Sequence, residues 1–425
     1  MIMNRELPSA SVFINSWKLA LIILVLAAVL RLWGAFDLNE YIEDETLHVS
    51  YAKSLGTYGT TANWGWHHPQ LSGLIVYGTI RLFGDNPVGW RSSNVFFGTA
   101  SVALIFLIGR LLYPGSGAPI LAMSLLAFDP DHIYLSRTTF VEIPVTFFFL
   151  LYLYLLLEYT ENRKATLPLA GIAMGLTMGT KAYYALALPM SVLYALLRVR
   201  QDRGLDRRVI IDFVVALLML PFAVYFLCYW KWFGRGYTLF DFIRMKMDAV
   251  WALQQLTMDN FAHHREFLAA GGKPWEWFIK PAFWGHQRLF SKETGIFLIQ
   301  CNNPPFRLLT LPSLLVASAY AFKRRAAREL LAPALFVGCY LLMMLARRPI
   351  FGYSALPLVP FAYLAIARSV AVLAEKMKKE TAVYACFLLA VFVWGAYMFP
   401  IVSARLVPLA PFRPILSMAR FLGNF

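Results

Sequence analysis

Residues 41–69 read YIEDETLHVSYAKSLGTYGTTANWGWHHP. The stretch follows the first long apolar run and holds three consecutive acids, Glu43, Asp44 and Glu45. His48 comes next, and His67 and His68 close the stretch behind Trp64 and Trp66. In a chain that is 59% hydrophobic, ionisable groups beside membrane spans are costly and mark use. A solvated connection between two helices would also read this way. The side of the membrane that this loop faces therefore decides the fold, because the direction of every later span follows from it.

Composition sets the class. With 425 residues, 15% of them charged, and a mean hydropathy of +0.57, the chain reads as a polytopic membrane protein. A net charge of +15 and a pI near 9.7 would suit a nucleic-acid binder. The basic residues instead come in short clusters between apolar runs, as cytoplasmic loops do, so the expected partner is the lipid bilayer and not nucleic acid. Cys228, Cys301, Cys339 and Cys386 have no CxxC spacing, and three of them sit in apolar runs. They read as packing residues. No small-residue cleavage site follows the first apolar run, which reads as a retained helix.

A spanning helix needs about 20 apolar residues. Trp17–Phe36 supplies them and leads outward from a cytoplasmic N-terminus. The run Leu71–Gly84 is too short to cross and reads as a juxtamembrane helix on the outer face. Spans then follow at Arg91–Leu112, Ala118–Leu135, Pro144–Leu157, Leu167–Thr180, Ala182–Leu197, Val209–Trp230, Pro305–Phe322, Leu330–Ala346, Gly352–Leu373 and Ala382–Ile401. With this alternation the strongest basic clusters, RVRQDRGLDRR, KRRAAR and EKMKK, all fall inside, as the positive-inside rule requires. The expected architecture is one all-α membrane domain over residues 1–425, with about eleven spans. Long outer loops at about 38–89 and 231–304 would cover a cavity, and an internal repeat of the kind found in many transporters is not evident.

This topology gathers Asp44, Glu45, His48, His67, His68, Arg91, Arg137, Glu142, Lys181, Lys231, Lys273, Arg347 and Arg348 on the outer face. Carboxylates from two loops together with several cations suit transfer from an anionic leaving group. A carboxylate can take a hydroxyl proton while cations stabilise a departing phosphate. Cations at helix ends can also simply snorkel. His48, His67 and His68 with Asp44 could bind a metal, but their spacing matches no compact motif. The tryptophans of GGKPWEWFIKPAFW read as an interfacial belt or as one wall of a substrate groove.

The segments DETLHVSYAKSL, HHPQLSG, WRSSNVFFGTASVALIFLIGRLLY and SRTTFVEIPVTFFFLLYLYLL resemble the protein O-mannosyltransferases. They are also similar to the aminoarabinose transferases of lipid A, and both groups belong to the GT-C class of polyprenyl-phosphate-sugar transferases. Weaker likeness continues through GTKAYYALALPM, PWEWFIKP, NPPFRLLTLPSLL and FGYSALPLVPFAYLAIA. The resemblance implies a GT-C-like fold and a catalytic base at Asp44, with Glu45 beside it and Glu142 as the second outer acid. It also carries the family's His-Pro pair onto His68 and Pro69, and the arginine that opens the next span onto Arg91. The family's second proline and the lysine after it are replaced by Gln70 and Gly73. Charge for the donor phosphate is therefore expected from Lys181 or Arg347, with His68, Arg91, Arg137 and Arg348 around it.

The function so implied is an inverting glycosyl transfer at the extracytoplasmic face of a prokaryotic cell membrane. The donor would be a polyprenyl- or dolichyl-phosphate sugar, with mannose the sugar expected, and the acceptor a protein Ser/Thr hydroxyl. No cofactor is expected, and a divalent metal is not required. A lipid or envelope polysaccharide is the alternative acceptor. A transporter for a lipid-linked or anionic solute, or a non-catalytic assembly subunit, are the readings from other classes.

Overall fold

The first apolar run forms helix α1, Ala10–Leu32, which ends in turns at Trp33. The chain is described here by a computed structural model covering residues 10–59, 68–255, 274–281, 283–289, 291, 293–345 and 350–421. Beyond α1 a loop leads into α2, Glu45–Tyr58, which packs on α3, Leu71–Phe83. With 13 residues, α3 is about 20 Å long, short of a hydrocarbon core of about 30 Å. It has the length expected of a helix that does not cross.

Helix α4, Pro87–Leu112, starts at Asn86, whose side chain accepts from the Val88 and Gly89 amides. Pro87 at its first position has no N–H to satisfy. The chain continues through α5 (Ala118–Ala127), α6 (Pro130–Ser136), α7 (Glu142–Asn162), α8 (Leu167–Thr180), α9 (Ala182–Asp202), α10 (Arg207–Leu227) and α11 (Leu239–Gln255). After these come α12 (Pro304–Arg324), α13 (Ala327–Met344), α14 (Gly352–Met377), α15 (Glu380–Val402) and α16 (Arg413–Phe421).

Among the described residues, eight helices are long and apolar enough to span a membrane: α4, α7, α9, α10, α12, α13, α14 and α15. The expected count of eleven is therefore not reproduced by helix length. One expected span, Ala118–Leu135, is broken into α5 and α6. Asp129 causes the break by capping the amides of Asp131 and His132 at 2.8 and 3.3 Å, while Pro130 cannot continue the hydrogen bonding of α5. The carbonyls left open at the end of α5 are met by Arg31, which donates to Leu126 and Ala127 at 3.1 and 3.2 Å. Helix α8, with 14 residues, is about 21 Å long and also falls short of the core.

The architecture is mostly helical but not wholly so. Strands β1 (Phe283–Leu289) and β2 (Thr294–Cys301) form an antiparallel hairpin, with Phe283 opposite Cys301 and Leu289 opposite Gly295. Strand β3, Leu406–Pro408, adds to the other edge of β2. The run TGIFLIQC has only eight residues and is rich in β-branched and aromatic side chains, which favours a strand over a helix.

Two apolar clusters fix where the polar groups go. The larger lies between α4, α5, α7, α8 and α14. The smaller unites Ile42, Tyr134, Phe140, Phe297, Ile299, Leu356 and Phe399. It ties the first loop, α6, β2, α14 and α15 together at one end of the bundle. Between the clusters, the α5–α6 break is filled by hydrogen-bonded polar side chains. Asp131 pairs with Arg307 and accepts from Gln300 at 2.8 Å. Asp129 accepts from the Tyr363 hydroxyl at 2.5 Å, and Tyr363 accepts from Asn303 at 2.6 Å.

Candidate active site

One face of α4 positions both acidic segments. Arg91 and Asn94 are three residues apart and so share a face of the helix. Arg91 donates to the carbonyls of Ala35, Leu38 and Glu40 at 3.0, 2.9 and 2.8 Å, which winds the first loop around its guanidinium. Its remaining N–H groups bind Glu45 through Nε at 2.9 Å and Nη2 at 2.8 Å. Asn94 donates to the carbonyls of Thr138 and Phe140 at 2.7 and 2.8 Å, setting the segment that leads to Glu142. Thr139 joins the two segments: its amide and hydroxyl donate to Glu45 at 2.8 and 3.1 Å.

This geometry corrects three expected roles. Glu45 is fully buried and accepts from Arg91, Thr139 and, at 3.0 Å, the Ile42 amide. With both oxygens occupied it anchors the loop and is not placed to accept a substrate proton. All five N–H donors of Arg91 are spent on the chain itself, leaving none for a donor phosphate. Arg137 donates to the carbonyls of Leu30 and Trp33 at 3.0 and 2.8 Å, and to that of Ser403 at 3.1 Å. It binds the end of α1 to the end of α15.

The groups that do converge are Asp44, His48, Glu142 and Lys181. Asp44 is the residue before α2, and Glu43 ahead of it sits in the left-handed backbone region at φ 48°, uncommon for a side chain of this type. Tyr353 donates its hydroxyl to Asp44 at 3.2 Å. The next residue, Ser354, lies 3.3 Å from the Lys181 amine, and Lys181 pairs with Glu142. Tyr184 fixes this turn of α14 by donating to the Ser354 carbonyl at 2.8 Å. The second oxygen of Glu142, Oε2, is buried and has no hydrogen-bond partner among the described residues.

Burial pushes Asp44 above the usual carboxylate range. The His48 charge and the Tyr353 hydroxyl oppose that rise, and Glu142 adds to it. Burial also pushes Glu43 up, to about 8, opposed by the Tyr134 hydroxyl and reinforced by Asp44 and Glu45. Both acids are thus held toward their protonated forms, and of the two Asp44 has the His48 charge beside it to favour its carboxylate. His48 is lowered by burial, against the favourable fields of Asp44 and Glu142. A small pocket opens beside His48, lined also by Tyr51, Ser93, Asn94, Thr139 and Pro144.

His68 lies near this group, its ring 6.2 Å from that of His48. Its carbonyl accepts from Tyr51 at 3.4 Å. Trp64, Trp66, His67, Lys273, Arg347 and Arg348 lie outside the described residues, among which no group of three His, Cys, Asp or Glu side chains could hold a metal. A side chain in place of Gly73 would run into the Tyr51 ring, whose nearest atom would lie 2.7 Å from the added Cβ. Sequence reasoning missed Asn94, Thr139, Tyr353 and Ser354. Only the clustering of hydroxyl and amide groups in SRTTFVE, WRSSN and FGYSALPL could have signalled them.

A substitution at Tyr353 tests the electrostatics of Asp44. Its hydroxyl stabilises the charged carboxylate, so Tyr353→Phe raises the pKa of Asp44 further. Activity that needs the ionised acid then rises with pH only at higher values than in the wild type. Turnover at neutral pH should fall about tenfold, the low end for one hydrogen bond to a charged group. A pH–rate profile superimposable on the wild type would show that Tyr353 does not act on Asp44.

Residues 67–230 match the family model described as dolichyl-phosphate-mannose-protein mannosyltransferase. An uncharacterized protein of Aquifex aeolicus is 26% identical over 251 residues, 56% of this chain and 49% of its own length. The polyprenol-phosphate-mannose–protein mannosyltransferase of Mycobacterium tuberculosis is 25% identical over 324 residues, 64% of this chain and 62% of its own. The chain thus spans about half to three-fifths of the length of these relatives. ArnT from Cupriavidus metallidurans, solved with undecaprenyl phosphate bound, superposes with a TM-score of 0.58. That match covers 96% of this chain and 72% of ArnT at 16% identity, a likeness of fold. The likeness to the dolichyl-phosphate-mannose-protein mannosyltransferase model is thus confined to residues 67–230, while the chain as a whole carries the GT-C fold.

Proposed function

We propose that the protein is an inverting membrane glycosyltransferase. It moves a sugar, mannose in the reading best supported, from a polyprenyl- or dolichyl-phosphate carrier to Ser/Thr hydroxyls of proteins at the extracytoplasmic face. The observation that carries this reading is the convergence of Asp44 with the Glu142–Lys181 pair, from segments almost a hundred residues apart. The family match and the mannosyltransferase relatives support it.

In this reaction Asp44 takes the acceptor's hydroxyl proton as the oxygen attacks the anomeric carbon. The bond from that carbon to the phosphate oxygen breaks, and its electron pair leaves with the lipid phosphate. Lys181 places a cation beside the reacting groups and favours that developing charge. The open oxygen of Glu142 is suited to accept from a sugar hydroxyl. A lipid monophosphate needs less charge compensation than a diphosphate, so Lys181 is expected to serve without a divalent metal. Chelator treatment should leave the rate unchanged; loss of activity that a divalent ion restores would overturn that expectation.

The transporter reading draws on broken helices. The α5–α6 break is instead filled by the mutually bonded Asp129, Asp131, Arg307 and Tyr363, which favours a structural role. Purified protein given polyprenyl-phosphate mannose and a Ser/Thr peptide should produce mannosyl peptide, read by mass spectrometry. Product on a lipid or glycan acceptor alone would reassign the acceptor. No transfer to any acceptor from any lipid-phosphate sugar would remove the enzyme reading.

A further inference from the structure

Helix α11, Leu239–Gln255, contributes nothing to the site described above. Its start is written in the sequence TLFD. The Thr238 amide and hydroxyl donate to Asp241 at 2.7 and 2.6 Å, and the Asp241 amide donates to the Thr238 hydroxyl at 3.2 Å, a reciprocal cap. From there the side chains sort into three lines at helical spacing. Phe242 and Ala249 are buried. The Phe242 ring packs on those of Phe226 and Tyr229 at 5.2 and 4.9 Å, and Lys246 donates to the Tyr229 hydroxyl at 2.5 Å. Asp241, Arg244 and Asp248 make a second line. Phe240, Ile243, Met247, Val250 and Trp251 make the third, and all five are exposed, from 48% for Ile243 to 73% for Phe240.

Five large apolar side chains in one exposed line mark a surface that meets something other than water. The preceding helix says what. By length and composition α10 can cross a membrane, and its Leu218, Phe222 and Leu227 are exposed, as is Trp230 just beyond it. Because α11 folds back on the head of α10, the two apolar surfaces adjoin. A line of charges beside a line of apolar side chains suits a helix lying in the membrane interface, not one crossing it. Two acids against one base on the charged line give no reason to call on anionic headgroups. We propose that α11 lies in the plane of the membrane, its apolar line sunk among the acyl chains and held there by apolar burial. Lys231 and Arg235, between α10 and α11, donate to the carbonyls of Gly56 and Thr57 at 2.7 and 3.3 Å. The leaflet concerned is therefore the one at the end of the bundle where α2 lies, and α11 ties its surface to the helix that starts next to Asp44.

Spin labels on the full-length protein test this. In a Cys386→Ser background, which removes the exposed native thiol, single cysteines are placed by Phe240→Cys, Ile243→Cys, Met247→Cys, Val250→Cys and Trp251→Cys. Arg244→Cys and Asp248→Cys report the charged line. Each labelled protein is reconstituted in phosphatidylcholine and, separately, in phosphatidylglycerol vesicles. Oxygen, which concentrates among acyl chains, and a water-soluble nickel chelate are then compared as relaxing agents. The oxygen-to-nickel ratio should be about threefold or more higher on the apolar line than at 244 and 248 in both lipids, at a depth of about 5–10 Å. High nickel access at every position would place α11 in water and overturn the proposal. Low access to both agents along the apolar line would show that protein covers it, whether another part of this chain or a second copy, and would overturn it too. A contrast seen only in phosphatidylglycerol would replace apolar burial by charge. Each of these outcomes is independent of sugar transfer, so the transfer reading stands or falls separately.

Discussion

Asp44→Asn should lower turnover by about 100-fold or more, within the usual contribution of general acid–base catalysis, while donor binding and folding are kept. Asparagine preserves the size of the side chain and can still meet the Tyr353 hydroxyl, but it cannot take a proton from the acceptor. The residual activity should lose the pH dependence that the ionisation of Asp44 imposes. In the wild type that ionisation falls above the usual carboxylate range, so activity rises with pH through a higher value than an exposed aspartate would give. Glu43→Gln should have a much smaller effect near neutral pH, where Glu43 already holds its proton. Single-turnover transfer with donor binding measured in parallel separates these outcomes. An Asp44→Asn variant that turns over like the wild type would move the base elsewhere in the cluster.

The second large effect is one of stability. Arg91→Met leaves Glu45 as a buried, unpaired carboxylate and strips donors from the carbonyls of Ala35, Leu38 and Glu40. Breaking a buried ion pair from one side costs about 3–5 kcal/mol. The thermal unfolding midpoint in detergent should fall clearly, and turnover should be lost with it because the loop carrying Asp44 is no longer held. Arg91→Lys keeps the charge but not the planar fork, so it should be intermediate. Pairing Arg91→Met with Glu45→Met removes the stranded charge and should recover part of the loss, though not the part due to the three carbonyls. An unfolding midpoint for Arg91→Met equal to that of the wild type would show that the pair does not secure the loop.

Much of this was legible in the sequence, but unevenly. Asp44, Glu142 and Lys181 stood out because charged groups in an apolar chain are conspicuous, and the parity of the spans put them on one side. Residue type could not show what a charge is paired with. Arg91 and Arg137 look like phosphate ligands in the sequence, whereas their donors are satisfied by loop carbonyls that no side-chain pattern reveals. Tyr353 and Asn94 were hidden for the opposite reason, being neutral groups in segments that otherwise read as helix and core. The break at Asp129–Pro130 left a local signal, since proline after a capping acid ends a helix. The apolar length of Ala118–Leu135 outweighed it. The β-hairpin was obscured by the tryptophans and lysines around it.

The Arg137 clamp bears on how the protein is made. Its guanidinium reaches the carbonyl of Ser403, 266 positions further along the chain, and β3 joins β2 only after α15 has been passed. As the ribosome delivers the chain to the membrane, the loop with Asp44 emerges well before the contacts that brace it from the other side. A nascent protein stalled before α15 would carry every member of the acid–lysine cluster and still lack its final support. Assembly of this site therefore waits for α15 and β3, which contain no member of the acid–lysine cluster.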